Sequence, residues 1–155
     1  MLGEPFLLQD NKNTADEIEG RVPVFATREN IEILCRSPIW FVDGTFKASP
    51  TIFTQLFTVI GLRQRNHPEG EDTLLPFVYA LLEGNHEKEY VRVLEPVKDA
   101  VARYHVNACV PLKIMSDFEL AIMNTFEKVY PGVEITGCFF HLGQSVYHQV
   151  QEKGL

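Results

Sequence analysis

The chain has 155 residues, a hydrophobic content of 45% and a charged content of 23%, which are typical of one soluble globular domain with a substantial core. No stretch approaches the roughly 18 apolar residues of a membrane-spanning helix and no signal peptide is present, so the composition argues against a membrane or secreted protein. The formal net charge of −7 argues against strong nucleic-acid binding by this chain alone, because affinity for phosphates comes largely from Lys and Arg.

The chain contains three cysteines, Cys35, Cys109 and Cys138, an odd number at wide spacing. This pattern predicts no disulfide framework and is typical of a reducing compartment, the cytosol or the nucleus. We therefore expect Cys35 and Cys109 to be structural residues without a crosslink.

Residues 1–36 are interpreted as a flanking segment of the main domain, which covers residues 37–155. The flank contains a short predicted strand at 21–26, where Pro23 is typical of an edge strand because proline donates no hydrogen bond to a sheet. Thr27 has the hydroxyl of an N-cap residue and predicts a short helix that ends before the next proline.

The main domain begins with three predicted strands. An unbroken apolar run from Ile39 is typical of a strand buried on both faces, and Phe53 to Leu62 alternates between two faces. The third strand, at 73–82, contains Pro76, which favours an edge or a bulge. Short connections between the three strands predict an antiparallel meander.

Helices and strands alternate in the second half of the domain. The apolar stripe from Glu87 to Tyr104 predicts a helix, and Pro96 inside it predicts a kink or two abutting helical pieces. Strands that alternate with helices join a sheet in parallel. The element order therefore predicts an α/β protein with a ribonuclease H-like fold. The remaining predicted elements are a strand at 112–115, a helix whose apolar face holds Ile122, Phe126, Val129 and Tyr130, a strand at 133–140 and a last helix at 141–151.

Two acidic residues follow short apolar strands, Asp43 in the first strand of the domain and Asp117 in the fourth. In a ribonuclease H-like sheet these strands are neighbours, so the two carboxylates would lie side by side. Such carboxylates repel each other unless a proton or a cation lies between them, and oxygen ligands suit Mg²⁺ or Mn²⁺. Gly44 permits a bulge or a close backbone approach beside Asp43. Two alternatives remain open: Asp43 only caps a strand-end turn, and Asp117 only N-caps the next helix.

A third group of residues with chemical interest runs from Gly137 to Gln144 and contains Cys138 and His141. A Cys-x-x-His pair can supply half of a zinc site. No second pair with ligand spacing is visible in the sequence, so a complete structural zinc site is not expected. The alternatives are a buried cysteine on a strand and a histidine at a helix start.

These residues belong to motifs that resemble the Mutator-like element (MULE) transposase domain, of the DDE transposase superfamily. The resemblance covers residues 39–155. Several separate motifs carry it in the family's order, and they are D-G-T-F-K-A-S-P-T-I-F-T-Q-L-F at 43–57, L-P-F-V-Y-A-L-L at 75–82, S-D-F-E at 116–119, G-C-F-F-H-L-G-Q at 137–144 and Q-E-K-G-L at 151–155.

The resemblance implies nuclear DNA transposition, in which three acids that bind Mg²⁺ or Mn²⁺ cleave and transfer DNA strands. Asp43 matches the first acid and Asp117 the second, while Glu119 lies in the motif of Asp117. Cys138 and His141 match a Cys-x-x-His signature near the active site. The family's third acid lies further downstream, so the resemblance implies a domain truncated before its last catalytic elements and inactive alone. Such a domain would bind DNA weakly or not at all, and an exposed apolar face would favour self-association.

Two other functions remain open. One is a domesticated non-catalytic module whose ribonuclease H-like fold serves DNA or protein interaction. The other is a compact nuclease that uses Asp43, Asp117 and Glu119 as its three acids. The sequence leaves enzymatic activity undecided between these hypotheses.

Overall fold

A computed structural model describes residues 4–12, 20–46, 49–65, 70–107, 109–138, 143, 147 and 149–153 of the chain. These residues form one mixed sheet of seven strands with helices packed on it. In chain order the elements are β1 (Leu7–Gln9), β2 (Val24–Phe25), α1 (Arg28–Arg36), β3 (Ile39–Thr45), β4 (Gln55–Arg63), β5 (Thr73–Leu82), α2 (Glu87–Arg103), β6 (Lys113–Ser116), α3 (Leu120–Val129) and β7 (Glu134–Gly137).

The centre of the sheet is the antiparallel meander that the sequence predicts. β4 pairs antiparallel with both β3 and β5, while β6 joins β3 in parallel and β7 joins β6 in parallel. Across the sheet the strand order is β1-β2-β5-β4-β3-β6-β7. The α/β class is therefore confirmed. β3 and β6 are neighbours, as the predicted cation site of Asp43 and Asp117 requires.

The flanking segment is built into the same sheet. Thr27 is the N-cap of α1 as predicted, and its hydroxyl accepts the backbone N–H of Asn30 at 3.1 Å. The predicted edge position of the strand around Pro23 is wrong, because β2 lies between β1 and β5. Pro23 fits in an internal strand because it comes just before the paired residues of β2 and needs no N–H there. Its carbonyl accepts the N–H of Leu81 at 3.1 Å.

Two further prolines lie inside regular elements. Val59 pairs with Val78 and Ile60 with Pro76, so one extra residue on β5 forms the bulge that Pro76 predicted. β5 is an internal strand, so the edge alternative does not apply. Pro96 lies inside α2, which is one continuous helix rather than two abutting pieces.

The core lies on one face of the sheet, where α1, α2 and α3 contribute their apolar sides. β3 shows the division between the faces. Trp40 and Val42 are 0% and 3% exposed, whereas Ile39 and Phe41 are only half-buried. The prediction that this strand is buried on both faces therefore holds fully for one face only.

The expectation that Cys35 and Cys109 lack a crosslink is wrong, because the two residues form a disulfide with Cα atoms 4.4 Å apart. Cys35 lies in the last turn of α1 just before β3, and Cys109 lies just before β6. The parallel pairing of β3 and β6 brings these preceding segments together. A sequence separation of 74 residues hides the pair from any inspection of spacing.

The end of the chain is described in part. The predicted strand at 133–140 is observed as β7, which ends at Gly137. The predicted last helix at 141–151 lies mostly outside the described residues, within which 143, 147 and 149–152 are helical. Among the described helices, none is long and apolar enough to cross a bilayer.

Candidate functional site

Asp43 and Asp117 lie at the same end of neighbouring parallel strands. The register of β3 and β6 pairs Phe41 with Met115. Phe41 and Met115 each precede one of the two acids by two residues, so the same register continued past its last observed pair would bring Asp43 level with Asp117. The sheet thus makes neighbours of the two segments that carry the acids, while the pairing of Asp43 and Asp117 as ligands stays a prediction.

Asp43 lies within β3 rather than after its end. β3 continues to Thr45 and stays paired with β4, although its pairing with β6 stops two residues before Asp43. One carboxylate oxygen, Oδ2, accepts the Thr45 hydroxyl at 2.8 Å. Gly44 pairs regularly with Phe57, so this stretch contains no bulge. The alternative that Asp43 only caps a strand-end turn does not fit this position.

Asp117 begins the loop between β6 and α3. Its Oδ1 accepts the backbone N–H of Glu119 at 3.3 Å, and the Ser116 hydroxyl donates to the Asp117 carbonyl at 2.7 Å. Glu119 is the N-cap of α3, so Asp117 is not the N-cap residue that the alternative interpretation requires. These local bonds fix the backbone on both sides of the Asp117 carboxylate.

Gly137 makes room for this loop. The Phe118 ring lies against the Gly137 backbone, and a Cβ at position 137 would collide with the ring carbons. The glycine of the Gly137–Cys138 motif therefore determines how closely the loop that carries Asp117 approaches β7.

Substituting Gly137→Ala is expected to destabilise the protein by about 1–3 kcal/mol, because the Phe118 ring must move and overpacking costs that much. Urea unfolding followed by circular dichroism measures this change. Gly143→Ala is the control, since a Cβ at Gly143 meets no atom of the described residues within 4 Å. Equal unfolding free energies of the two variants would show that the Phe118 contact does not constrain the loop.

Cys138 lies directly after β7, the strand that pairs with β6. β6 and β7 pair Ser116 with Gly137, so the residues that follow, Asp117 and Cys138, are level. The Cys138 N–H donates to the Ser116 carbonyl at 2.6 Å, and its half-buried thiol is free. His141 lies outside the described residues, so the Cys-x-x-His half-site stays a prediction.

Glu119 connects the loop to the core. Its Oε1 accepts the hydroxyl of Tyr90 from α2 at 2.8 Å, and that hydroxyl accepts from Gln55 Nε2 of β4 at 2.9 Å. Burial raises the pKa of Glu119 above its ordinary value, the Tyr90 hydrogen bond lowers it, and the Asp117 carboxylate raises it. Burial also raises the pKa of Tyr90, so its hydroxyl keeps its proton and donates.

Sequence reasoning missed the roles of Tyr90 and Gln55. Tyr90 was one member of the apolar stripe of α2, and Gln55 was one position in the alternation of β4. The sequence offers one signal for Gln55: it alternates in step with Phe57 and Val59, which puts it on the buried face of β4. A buried amide needs hydrogen-bond partners.

The carboxylate oxygens of Asp43 and Asp117 are ligands of the type that hard divalent cations prefer. Mg²⁺ is commonly held by one or two carboxylates, with water and substrate phosphates completing its shell, and Mn²⁺ accepts the same oxygen ligands. Within the described ranges, no group of three or more His, Cys, Asp and Glu side chains is arranged to hold a metal ion. This finding contradicts a preformed cage of Asp43, Asp117 and Glu119, which the compact-nuclease hypothesis needs.

Comparison with known protein families gives a match over most of the chain. A family model described as the MULE transposase domain matches residues 39–145, which span more than half of the chain and include Asp43, Asp117 and Cys138. No match is found among curated proteins.

Proposed function

The chain belongs to the MULE transposase domain family, and from this premise we propose that it serves DNA transposition as a domain that holds a divalent cation with Asp43 and Asp117. The observation that supports the proposal is the parallel register of β3 and β6, in which Phe41 pairs with Met115 and each of these residues precedes one of the acids by two positions. The family assignment confirms the resemblance that the sequence motifs indicated.

A ribonuclease H-like fold is part of the same proposal. Support comes from the strand order β5-β4-β3-β6-β7, in which two parallel strands are added beside the first strand of an antiparallel meander. This arrangement puts the first and fourth strands of the domain side by side, as a ribonuclease H-like sheet requires.

Asp43 and Asp117 would supply the carboxylate oxygens that hold Mg²⁺ or Mn²⁺. When bound, the cation would activate a water or a 3′-hydroxyl and stabilise the leaving oxygen of a DNA phosphodiester. The net charge of −7 repels phosphates, so contact between DNA and this acidic end of the sheet depends on neutralisation of the two carboxylates. A nuclear location is proposed from the DNA substrate class alone, because the Cys35–Cys109 disulfide removes the argument from a reducing compartment.

A second candidate function is a non-catalytic module for DNA or protein interaction. It is favoured by the observation that, in the part of the chain that the structure describes, no third ligand joins Asp43 and Asp117 in one group. In that case the two acids would keep their register and bind no cation.

Calorimetric titration of Mn²⁺ into the full chain separates the two candidates. We expect the parent chain to bind, and we expect Asp43→Asn and Asp117→Asn each to lose affinity by at least about tenfold, because each removes a charged oxygen ligand. Asp99→Asn removes an exposed carboxylate of α2 and is the matched control. No binding by the parent chain would favour the interaction module, and equal affinity of all variants would exclude the two acids as ligands.

A further inference from the structure

Gln55 and Tyr90 form a hydrogen-bonded chain in the core next to the proposed site. Gln55 Nε2 donates to the Gly84 carbonyl and to the Tyr90 hydroxyl, both at 2.9 Å, and the Tyr90 hydroxyl donates to Glu119 Oε1 at 2.8 Å. Both side chains are 0% exposed. We name this pair the buried bridge.

A buried polar pair is not the most stable way to fill this part of the core. The Tyr90 ring packs on Phe57 with ring centroids 5.0 Å apart, so the surroundings are largely apolar. Gln55 Oε1 is buried and has no hydrogen-bond partner among the residues described here. An unpaired buried oxygen costs free energy that an apolar side chain would avoid, so the amide needs an explanation beyond packing.

Each end of the buried bridge meets a residue close to one of the acids. Gly44, next to Asp43, leaves the space that the Gln55 amide fills, since a Cβ at Gly44 would collide with Gln55 Oε1. At the other end, the backbone N–H of Glu119 donates to Asp117 Oδ1 at 3.3 Å. The bridge therefore connects both acid-bearing segments through the core.

We propose that Gln55 and Tyr90 are positioning residues that set the separation of the Asp43 and Asp117 segments for cation binding. The inference rests on the proposed function, because it assigns the bridge a role in that site. Tyr90 acts through the Glu119 carboxylate, and Gln55 acts through Tyr90 and the space beside Gly44. Directional hydrogen bonds fix one geometry of these segments, which apolar packing alone specifies less strictly.

Tyr90→Phe tests the bridge, because it removes one hydroxyl and keeps the ring on Phe57. We expect Mn²⁺ affinity in calorimetry to fall by about tenfold, the range found when a group that orients a ligand is removed. We expect the variant to stay folded with only a modest fall in the midpoint of urea unfolding, measured without metal, because the Gln55 amide keeps the Gly84 carbonyl while the half-buried Glu119 carboxylate loses its donor.

Tyr130→Phe is the matched control. Tyr130 is also buried, and its hydroxyl has no hydrogen-bond partner among the described residues. Its removal is expected to leave Mn²⁺ affinity unchanged and stability equal or higher. Equal loss of affinity in both variants would attribute the effect to general packing and overturn the inference.

Two variants of Glu119 keep the inference testable if Tyr90→Phe does not fold. Glu119→Gln retains an oxygen that accepts the Tyr90 hydroxyl, so we expect it to bind Mn²⁺ within a few-fold of the parent chain. Glu119→Ala removes that acceptor and should match Tyr90→Phe. Equal loss in both Glu119 variants, or parent affinity in Tyr90→Phe, would overturn the bridge and leave the proposed function intact. No binding by the parent chain would overturn both.

Discussion

Loss of the Cys35–Cys109 disulfide is expected to lower the free energy of unfolding by about 4 kcal/mol. A crosslink stabilises a protein mainly by restricting its unfolded chain, and the effect grows with the length of the closed loop. Here the sequence separation is 74 residues, and the loop contains β3, β4, β5 and α2. Reduction would therefore increase the conformational entropy of a long part of the unfolded chain and so favour unfolding.

Urea unfolding of the parent chain with and without reductant measures this effect, and the double variant Cys35→Ala with Cys109→Ala should match the reduced parent. Cys138→Ala leaves the disulfide in place and is the control, because Cys138 is the free cysteine. Thiol titration of the denatured, unreduced chain should find a single reactive thiol. Equal unfolding midpoints with and without reductant would contradict the prediction.

The disulfide also bears on the candidate site. Ile39 and Lys113, which pair in β3 and β6, are separated in sequence by as many residues as the two bonded cysteines. The crosslink therefore follows the same register and holds the two strands at the end opposite Asp43 and Asp117. Because a slip of one residue would turn one acid to the other face of the sheet, this register is what the proposed site depends on.

Local patterns were sufficient to predict much of the sheet. The alternation of β4 and the apolar run of β3 predicted neighbouring antiparallel strands, and the alternation of helices with β6 and β7 predicted their parallel addition. With β3 and β6 as neighbours, the prediction that Asp117 lies beside Asp43 depends on two acids that each come at the end of an apolar run. These are consequences of periodicity, which a sequence displays directly.

The features that sequence reasoning missed depend on contacts between distant segments. Pro23 indicates only that no N–H is donated, and whether its carbonyl is used depends on the place of β2 in the sheet. The Cys35–Cys109 disulfide depends on the register of β3 and β6. The hydrogen bond from Tyr90 to Glu119 joins α2 to the β6–α3 loop. The apolar stripe of α2 does not show whether a tyrosine in it only packs in the core or also donates a hydrogen bond to another segment.

Substituting Trp40→Ala is expected to lower the free energy of unfolding by about 4 kcal/mol. Trp40 is fully buried on β3, its ring meets the Tyr130 ring edge-on at 5.5 Å, and its Nε1 donates to the Leu34 carbonyl at 3.0 Å. Removal of the indole leaves a cavity between β3 and the ends of α1 and α3, which the surrounding side chains fill only in part. Urea unfolding followed by far-UV circular dichroism measures the loss.

Trp40→Phe is the matched control and is expected to cost only about 1–2 kcal/mol. A ring still fills much of the space, and the Leu34 carbonyl keeps the N–H of Ser37 at 3.0 Å, so the substitution leaves no unpaired acceptor. Trp40 lies on the strand that carries Asp43, so Trp40→Ala should also weaken Mn²⁺ binding, whereas Trp40→Phe should bind as the parent chain does. Equal destabilisation by the two substitutions would show that the volume of the side chain at Trp40 does not set the packing of β3 against its helices.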